Sequence, residues 1–158
     1  MVNLYDELVA IARALERAKI NYAVCGGMAM AVHGLPRFTK DIDLLIQRED
    51  LNDILELVRK KGFILDGGIL PMGAGEKVER DIFRVSKVIE KELVTLDLLL
   101  VNPPLRQAFE SREYFEFLGH RMQVVSPAGL YVMKSIAGRP QDILDLKRLG
   151  LWPDDSNP

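Results

Sequence analysis

The run Glu92–Val101, ELVTLDLLLV, is apolar at almost every position. A strand of this composition has to be covered on both faces, which places it inside a sheet rather than at a surface. Segments with helical spacing lie on either side of it in the sequence. The expected fold is therefore α/β (α+β): a mixed β-sheet with flanking helices and a C-terminal helical pair. At 158 residues the chain is long enough to bury a core. Residues 1–150 read as a single domain, and 151–158 as a polar tail.

The individual elements follow from local pattern. Leu4, Leu8, Ile11 and Leu15 recur at helical spacing behind Asn3, a capping residue. NYAVC reads as a strand ended by Gly26 and Gly27, MAMAVHG as a short helix, and DIDLLI as a second strand. Asp50 is expected to cap a helix carrying Leu51, Ile54, Leu55 and Val58. FIL, from Phe63 to Leu65, reads as a short strand. DGGILPMGAGEK, rich in glycine and proline without a period, reads as a loop. ERDIFRVS and ELVTLDLLLV are expected to pair antiparallel, because few residues separate them. NPP breaks the chain, YFEFLGHRMQVVS reads as a hairpin, and Ser126-Pro127 and Pro140 open the last two helices.

The carboxylates carry the chemistry. Residues two apart on a strand share a face, so Asp41 and Asp43 project together and Ile42 points into the core. Two adjacent carboxylates raise each other's proton affinity, and a divalent cation relieves that repulsion. A solvated pair at a strand entrance, or a helix cap, is the alternative. Asp97 stands in the middle of the apolar run, with Thr95 on the same face. An isolated charge there needs a partner. Either a lysine or arginine supplies it, for example Arg84 on the neighbouring strand, or a metal ion does. If the two strands are neighbours, three carboxylates converge, the ligand set of a two-metal phosphoryl-transfer site. Gly26 and Gly27, between a strand and a short helix, allow phosphate oxygens a close approach to backbone N–H groups.

Taken together, GG, the thirteen residues Met28–Lys40, DID and the later LDL resemble the signature of the nucleotidyltransferase superfamily of DNA polymerase beta. GGMAMAVHGLPRFTKDIDLLI looks most like its small bacterial branch, which includes AbiEii-type and MenT-type toxins. SPAGLYVMKSIAGRPQDILDLKRL is similar to the lysine- and aspartate-bearing tail of that branch, so the resemblance spans most of residues 22–149. It is weakest over residues 66–91. The resemblance implies transfer of a nucleoside monophosphate from an NTP to a hydroxyl, with pyrophosphate leaving. It implies that Asp41, Asp43 and Asp97 hold Mg²⁺, in a two-ion site, and that Asp97 helps deprotonate the acceptor. Gly26 and Gly27 would bind the triphosphate. Family members often carry serine where Gly27 stands, so a hydroxyl contact to phosphate has to come from elsewhere.

Triphosphate calls for further cations. Arg37 and Lys40 flank Thr39 just before the paired aspartates, and Lys134 lies on the core-facing stripe of its helix, from which it can reach the cleft. Family likeness adds Asp142 to the nucleotide-binding candidates. Asp145 and Arg148 read as a surface pair. His33 reads as a packed or surface residue, with contact to a base or ribose as the alternative, and Phe38 and Tyr131 as packing residues, with stacking on a base as the alternative. The net charge of −2 argues against non-specific RNA binding. The N-terminus has no signal-peptide pattern and no run is long enough to span a membrane, which points to a cytoplasmic protein. The acceptor is open among a tRNA 3′ end, a protein hydroxyl and a small molecule such as an antibiotic. A toxin role would bring an antitoxin partner. The alternative function is a non-catalytic nucleotide-binding or partner-binding module on the same fold.

Overall fold

A computed structural model of the chain describes residues 2–36, 38–72 and 80–152. Asn3 does start the first helix. Its side chain accepts hydrogen bonds from the amides of Tyr5 (3.0 Å) and Asp6 (3.3 Å). The helix, α1 (Leu4–Arg17), buries Leu8, Ile11, Ala12 and Leu15 on one stripe. The chain continues through β1 (Tyr22–Cys25), α2 (Gly26–Val32), β2 (Asp41–Ile46), α3 (Leu51–Arg59), β3 (Leu65–Met72), β4 (Arg80–Ile89) and β5 (Glu92–Leu100). It closes with α4 (Arg106–Glu110), β6 (Glu113–Phe117), β7 (His120–Val124), α5 (Pro127–Ala137) and α6 (Pro140–Arg148).

Among the described residues there is one seven-stranded mixed sheet, in the order β3-β4-β5-β2-β1-β7-β6. The apolar β5 lies centrally, parallel to β2 and antiparallel to β4, as its composition requires. Ile42, Leu44 and Ile46 of β2 alternate with the aspartates and are fully buried. On β5, Leu96, Leu98 and Leu100 do the same. Helix α1 packs on β2 and beside α3, and α5 packs between α4 and α6. Cys25, at the end of β1, is buried. Among the described residues no helix is long and apolar enough to cross a membrane.

Four local expectations are corrected. The strand read at FIL begins only at Leu65, after Phe63 has anchored the end of α3 in the core. The segment read as a loop from Asp66 is strand β3 through Met72, paired antiparallel with β4. It is an edge strand. There a bulge between Asp66 and Gly68 and a proline at 71 are tolerated, and residues 65–69 include no buried position to mark a period. The remainder of that expected loop lies outside the described residues. Asp50 makes no side-chain cap; a 3-10 turn, Arg48–Asp50, leads into α3 instead. Past the NPP break, Asn102 caps a 3-10 turn through the Leu105 amide at 3.0 Å, and the turn runs on into α4.

The other punctuation agrees with expectation. Ser126 caps α5 through the Gly129 amide at 3.0 Å, and Gly138 ends it in the left-handed conformation. Leu118 and Gly119, both at positive φ, make the tight turn of the β6–β7 hairpin.

Candidate active site

The parallel pairing of β2 with β5 aligns Asp43 with Asp97 and Asp41 with Thr95. The face opposite the buried Ile42 therefore gathers three carboxylates over two neighbouring strands. Each responds to the others. Burial pushes the Asp43 carboxyl up to about 7, and the charges of Asp97 and Asp41 add to the rise. Arg84 and Lys134 oppose it. Asp41 is also raised, by burial and then by Asp97, against Arg84 and Lys40. Lys40 is exposed at the strand entrance, so its contribution is one of charge. Arg37 lies outside the described residues.

The glycine turn meets the carboxylates directly. Gly26 follows Cys25, which pairs with Asp43 across β1 and β2. Its φ of +64° is one that glycine adopts freely. A side chain there would overlap the Asp43 carboxylate, with its Cβ 2.9 Å from Cγ. Gly27 is close to Thr39 in the same way. A Cβ would stand 2.9 Å from Thr39 Cβ and 3.1 Å from Oγ1. The Thr39 hydroxyl donates to the Asp41 carbonyl at 3.1 Å. It thus occupies the space beside Gly27, a placement hidden in the sequence because the two positions are twelve apart.

Asp97 is nearly buried, and Arg84 grips it with both ends of its fork. Nε donates to Oδ1 at 2.8 Å and a terminal nitrogen to Oδ2 at 2.9 Å. Arg84 and Asp97 are direct cross-strand partners on β4 and β5. Beside them, Ser86 and Thr95 share a buried hydroxyl–hydroxyl contact of 3.2 Å. The ion pair is one of the two kinds of partner that the sequence allows for Asp97.

Lys134 reaches the site from α5. Its Nζ stands 3.3 Å from Asp142 Oδ1 and 3.0 Å from Asp145 Oδ2. Asp142 also receives Arg139 Nε at 2.7 Å and the Arg139 backbone amide at 3.2 Å, closing the start of α6. Burial would raise the Asp142 carboxyl, but Arg139 and then Lys134 hold it below its usual range. Asp145 is buried and also accepts from Gln141 Nε2 at 2.7 Å. The surface pair expected for it with Arg148 is replaced by this inward contact to Lys134. Sequence spacing along α6 carried no sign of a partner on α5.

A cavity of about 200 Å³ joins Gly26 and Asp43 to the Lys134 cluster; Asp41, Asp97 and Arg84 are not among its lining residues. Gly26, Asp43, Lys134, Arg139 and Asp142 form its polar side, and Ile82, Leu99, Leu130 and Met133 its apolar side. His33 is a packed residue: Nε2 meets the Val125 carbonyl at 2.7 Å and the ring stacks edge-on to Phe115. Phe38 is 86% exposed, contrary to a packing role. Tyr131 lies against Trp152 at the surface.

The donor set suits a hard divalent cation. It has carboxylate oxygens only, raised in proton affinity by mutual repulsion, beside a glycine turn open to phosphate. Among the described residues, no three acidic, histidine or cysteine side chains are drawn together tightly enough to hold an ion as they stand. Asp97 is turned onto Arg84.

The family model described as "Uncharacterised nucleotidyltransferase" matches residues 2–138. Among solved structures, a Thermotoga maritima protein assigned as a nucleotidyltransferase is similar, with a TM-score of 0.64, 16% identity and 94% of each chain covered. The adenylyltransferase ANT(2")-Ia, in complex with adenylyl-2"-tobramycin, gives a TM-score of 0.57 at 17% identity, covering 91% of this chain and 85% of its own. The lincosamide antibiotic adenylyltransferase LnuA, with lincomycin bound, gives 0.58 at 17% identity, covering 92% and 95%. At these identities the likeness is one of fold. No curated protein matches this chain in sequence.

Proposed function

The chain belongs to a family of uncharacterised nucleotidyltransferases, and we propose that it transfers a nucleoside monophosphate from an NTP to a hydroxyl acceptor with the help of Mg²⁺. The observation that carries this reading is the alignment of Asp43 with Asp97 across β2 and β5, with Asp41 beside them and Gly26 packed against Asp43. We take residues 1–150 as one catalytic unit.

Asp41, Asp43 and Asp97 would hold Mg²⁺, which neutralises triphosphate charge and acidifies a nearby hydroxyl. Gly26 and Gly27 leave room for phosphate oxygens beside the first turn of α2. Lys134, and Lys40 and Arg37 before the strand, add positive charge for the triphosphate. Asp142 acts on the nucleotide through Lys134 and Arg139, which its carboxylate orients. The apolar wall of Ile82, Leu99, Leu130 and Met133 offers the nucleoside a water-poor surface. In the transfer, the acceptor oxygen forms a bond to the α-phosphorus, the bond to the bridging oxygen breaks, and pyrophosphate leaves. Asp97 takes the acceptor proton. The protein's contribution is positioning and charge neutralisation rather than covalent chemistry.

Two of the fold neighbours act on antibiotics, which puts small-molecule hydroxyls first in an acceptor screen, followed by tRNA ends and protein hydroxyls. The segment Gly26–Ile46 favours the AbiEii-like and MenT-like branch, for which an antitoxin would be the partner. The test is release of pyrophosphate and transfer of α-³²P label from each NTP with Mg²⁺, compared with Asp43→Asn. Label on an acceptor, lost in the variant, supports the reading. The Arg84 grip on Asp97 favours a second reading, a nucleotide-binding module without turnover. NTP binding with no pyrophosphate release across the whole screen would favour it over the first.

A further inference from the structure

Arg84 sits between two unlike neighbours on the site face of the sheet. On one side, across β4 and β5, is Asp97, both of whose oxygens it engages. On the other side, across β3 and β4, are Gly67 and Gly68: a Cβ on Gly67 would meet the Arg84 side chain at Cβ (3.5 Å) and Cγ (3.7 Å), and one on Gly68 would meet nothing within 4 Å among the described residues. The Arg84 side chain therefore has an ion pair on one side and two glycines without side chains on the other. Its side chain is 45% exposed while that of Asp97 is 6% exposed, so the arginine is the partner free to move.

A dication and a guanidinium on one carboxylate repel each other, and a planar fork spanning both oxygens competes for the lone pairs a metal needs.

We propose that Arg84 is a resident stand-in for the metal: it holds Asp97 neutralised until a divalent cation displaces it, and then swings over Gly68. Arg84 is thus a positioning residue that acts through Asp97. It sets the threshold of metal concentration at which the third carboxylate joins the site. The inference rests on the nucleotidyltransferase reading, because that reading gives the carboxylates their metal.

The test is Mn²⁺ affinity of the full chain without nucleotide, read by electron paramagnetic resonance, in wild type, Arg84→Gln, Arg84→Lys and Asp43→Asn. With its competitor removed, Arg84→Gln is expected to bind Mn²⁺ about tenfold tighter, with Arg84→Lys between it and wild type. A merely structural ion pair would loosen the site when broken, so unchanged or weaker binding by a folded Arg84→Gln overturns the proposal. If wild type binds Mn²⁺, Asp43→Asn does not, and Arg84→Gln is no tighter, the metal site stands and only this inference fails. No Mn²⁺ binding in any form overturns both. A second measurement needs no Arg84 variant. The Arg84 Nε–H resonance of wild type, assigned by NMR, should lose its protection from exchange on addition of Mg²⁺. Protection unchanged at saturating Mg²⁺ overturns the proposal even if the variants fail to fold.

Discussion

The molecule gathers buried carboxylates in two places, and the two are opposite in charge balance. On β2 and β5, Asp41, Asp43 and Asp97 have, among the described residues, one ion-paired cation, Arg84 on Asp97, and the first two carboxyls are raised in proton affinity. On α6, Asp142 and Asp145 share Lys134, Arg139 and Gln141, and Asp142 is held below its usual range. The second cluster is complete as it stands; the first has a surplus of negative charge beside a cavity and a glycine turn. On the proposed reading, that surplus is the place where a ligand supplies the missing charge. Lys134 belongs to the balanced cluster yet faces Asp43 across the cavity, so the two regions meet in one side chain.

The sharpest way to break the comparison is to remove one charge from each side. Asp43→Asn should reduce nucleotidyl transfer at least about a thousandfold, since it removes a ligand of the reacting centre. It should not lower the metal-free melting temperature at pH 8, because a buried like-charge repulsion is lost with it. Lys134→Met should do the reverse to stability. It leaves two buried carboxylates short of a cation and should cost about 3 kcal/mol, read by urea unfolding. Equal destabilisation by the two variants would erase the distinction between surplus and balance.

The two clusters should also respond to pH with opposite signs. Asp43 has its folded value raised from 3.8 to about 7, so the folded state binds more protons between those values. Its contribution to metal-free stability is therefore lost as pH rises from about 4 to about 7, by roughly 4 kcal/mol. Asp142 is depressed, so its contribution is present above its unfolded value near 3.8 and lost as pH falls below it. Chemical unfolding from pH 3 to 8 should show both limbs. Asp43→Asn should flatten only the upper one, and saturating Mg²⁺ should do the same in wild type.

Much of this arrangement can be read in the sequence, and the gaps have physical causes. Asp41, Asp43 and Asp97 are legible because carboxylates stand out within apolar strands, where burial makes a partner obligatory. The core strands β2 and β5 are legible for the same reason. Strand β3 is hidden because an edge strand needs only one neighbour and no buried face, and Gly67, Gly68 and Pro71 resemble a loop. Helix α4 is too short to show a period. Asp145 looks like the surface partner of Arg148 because its real partner, Lys134, lies on another helix. Pairings between elements are what local pattern does not carry.

The smallest effect expected concerns Gly27. Gly27→Ser places a side chain against Thr39 and should cost about 1–2 kcal/mol of stability with a raised KM for NTP. Adding Thr39→Gly in the same chain should recover part of the stability, because it removes the Cβ at 2.9 Å together with the hydroxyl at 3.1 Å. No recovery would mean that Gly27 is needed for its backbone rather than for the space Thr39 fills.

The most direct measurement is isothermal titration of each NTP with Mg²⁺ into wild type and into Asp41→Asn/Asp43→Asn. We predict metal-dependent binding of at least one NTP by wild type, absent from the double variant and absent from wild type in EDTA. Binding that survives in the double variant, or no binding by wild type to any NTP, would contradict the assignment of the three carboxylates as a metal-dependent nucleotide site.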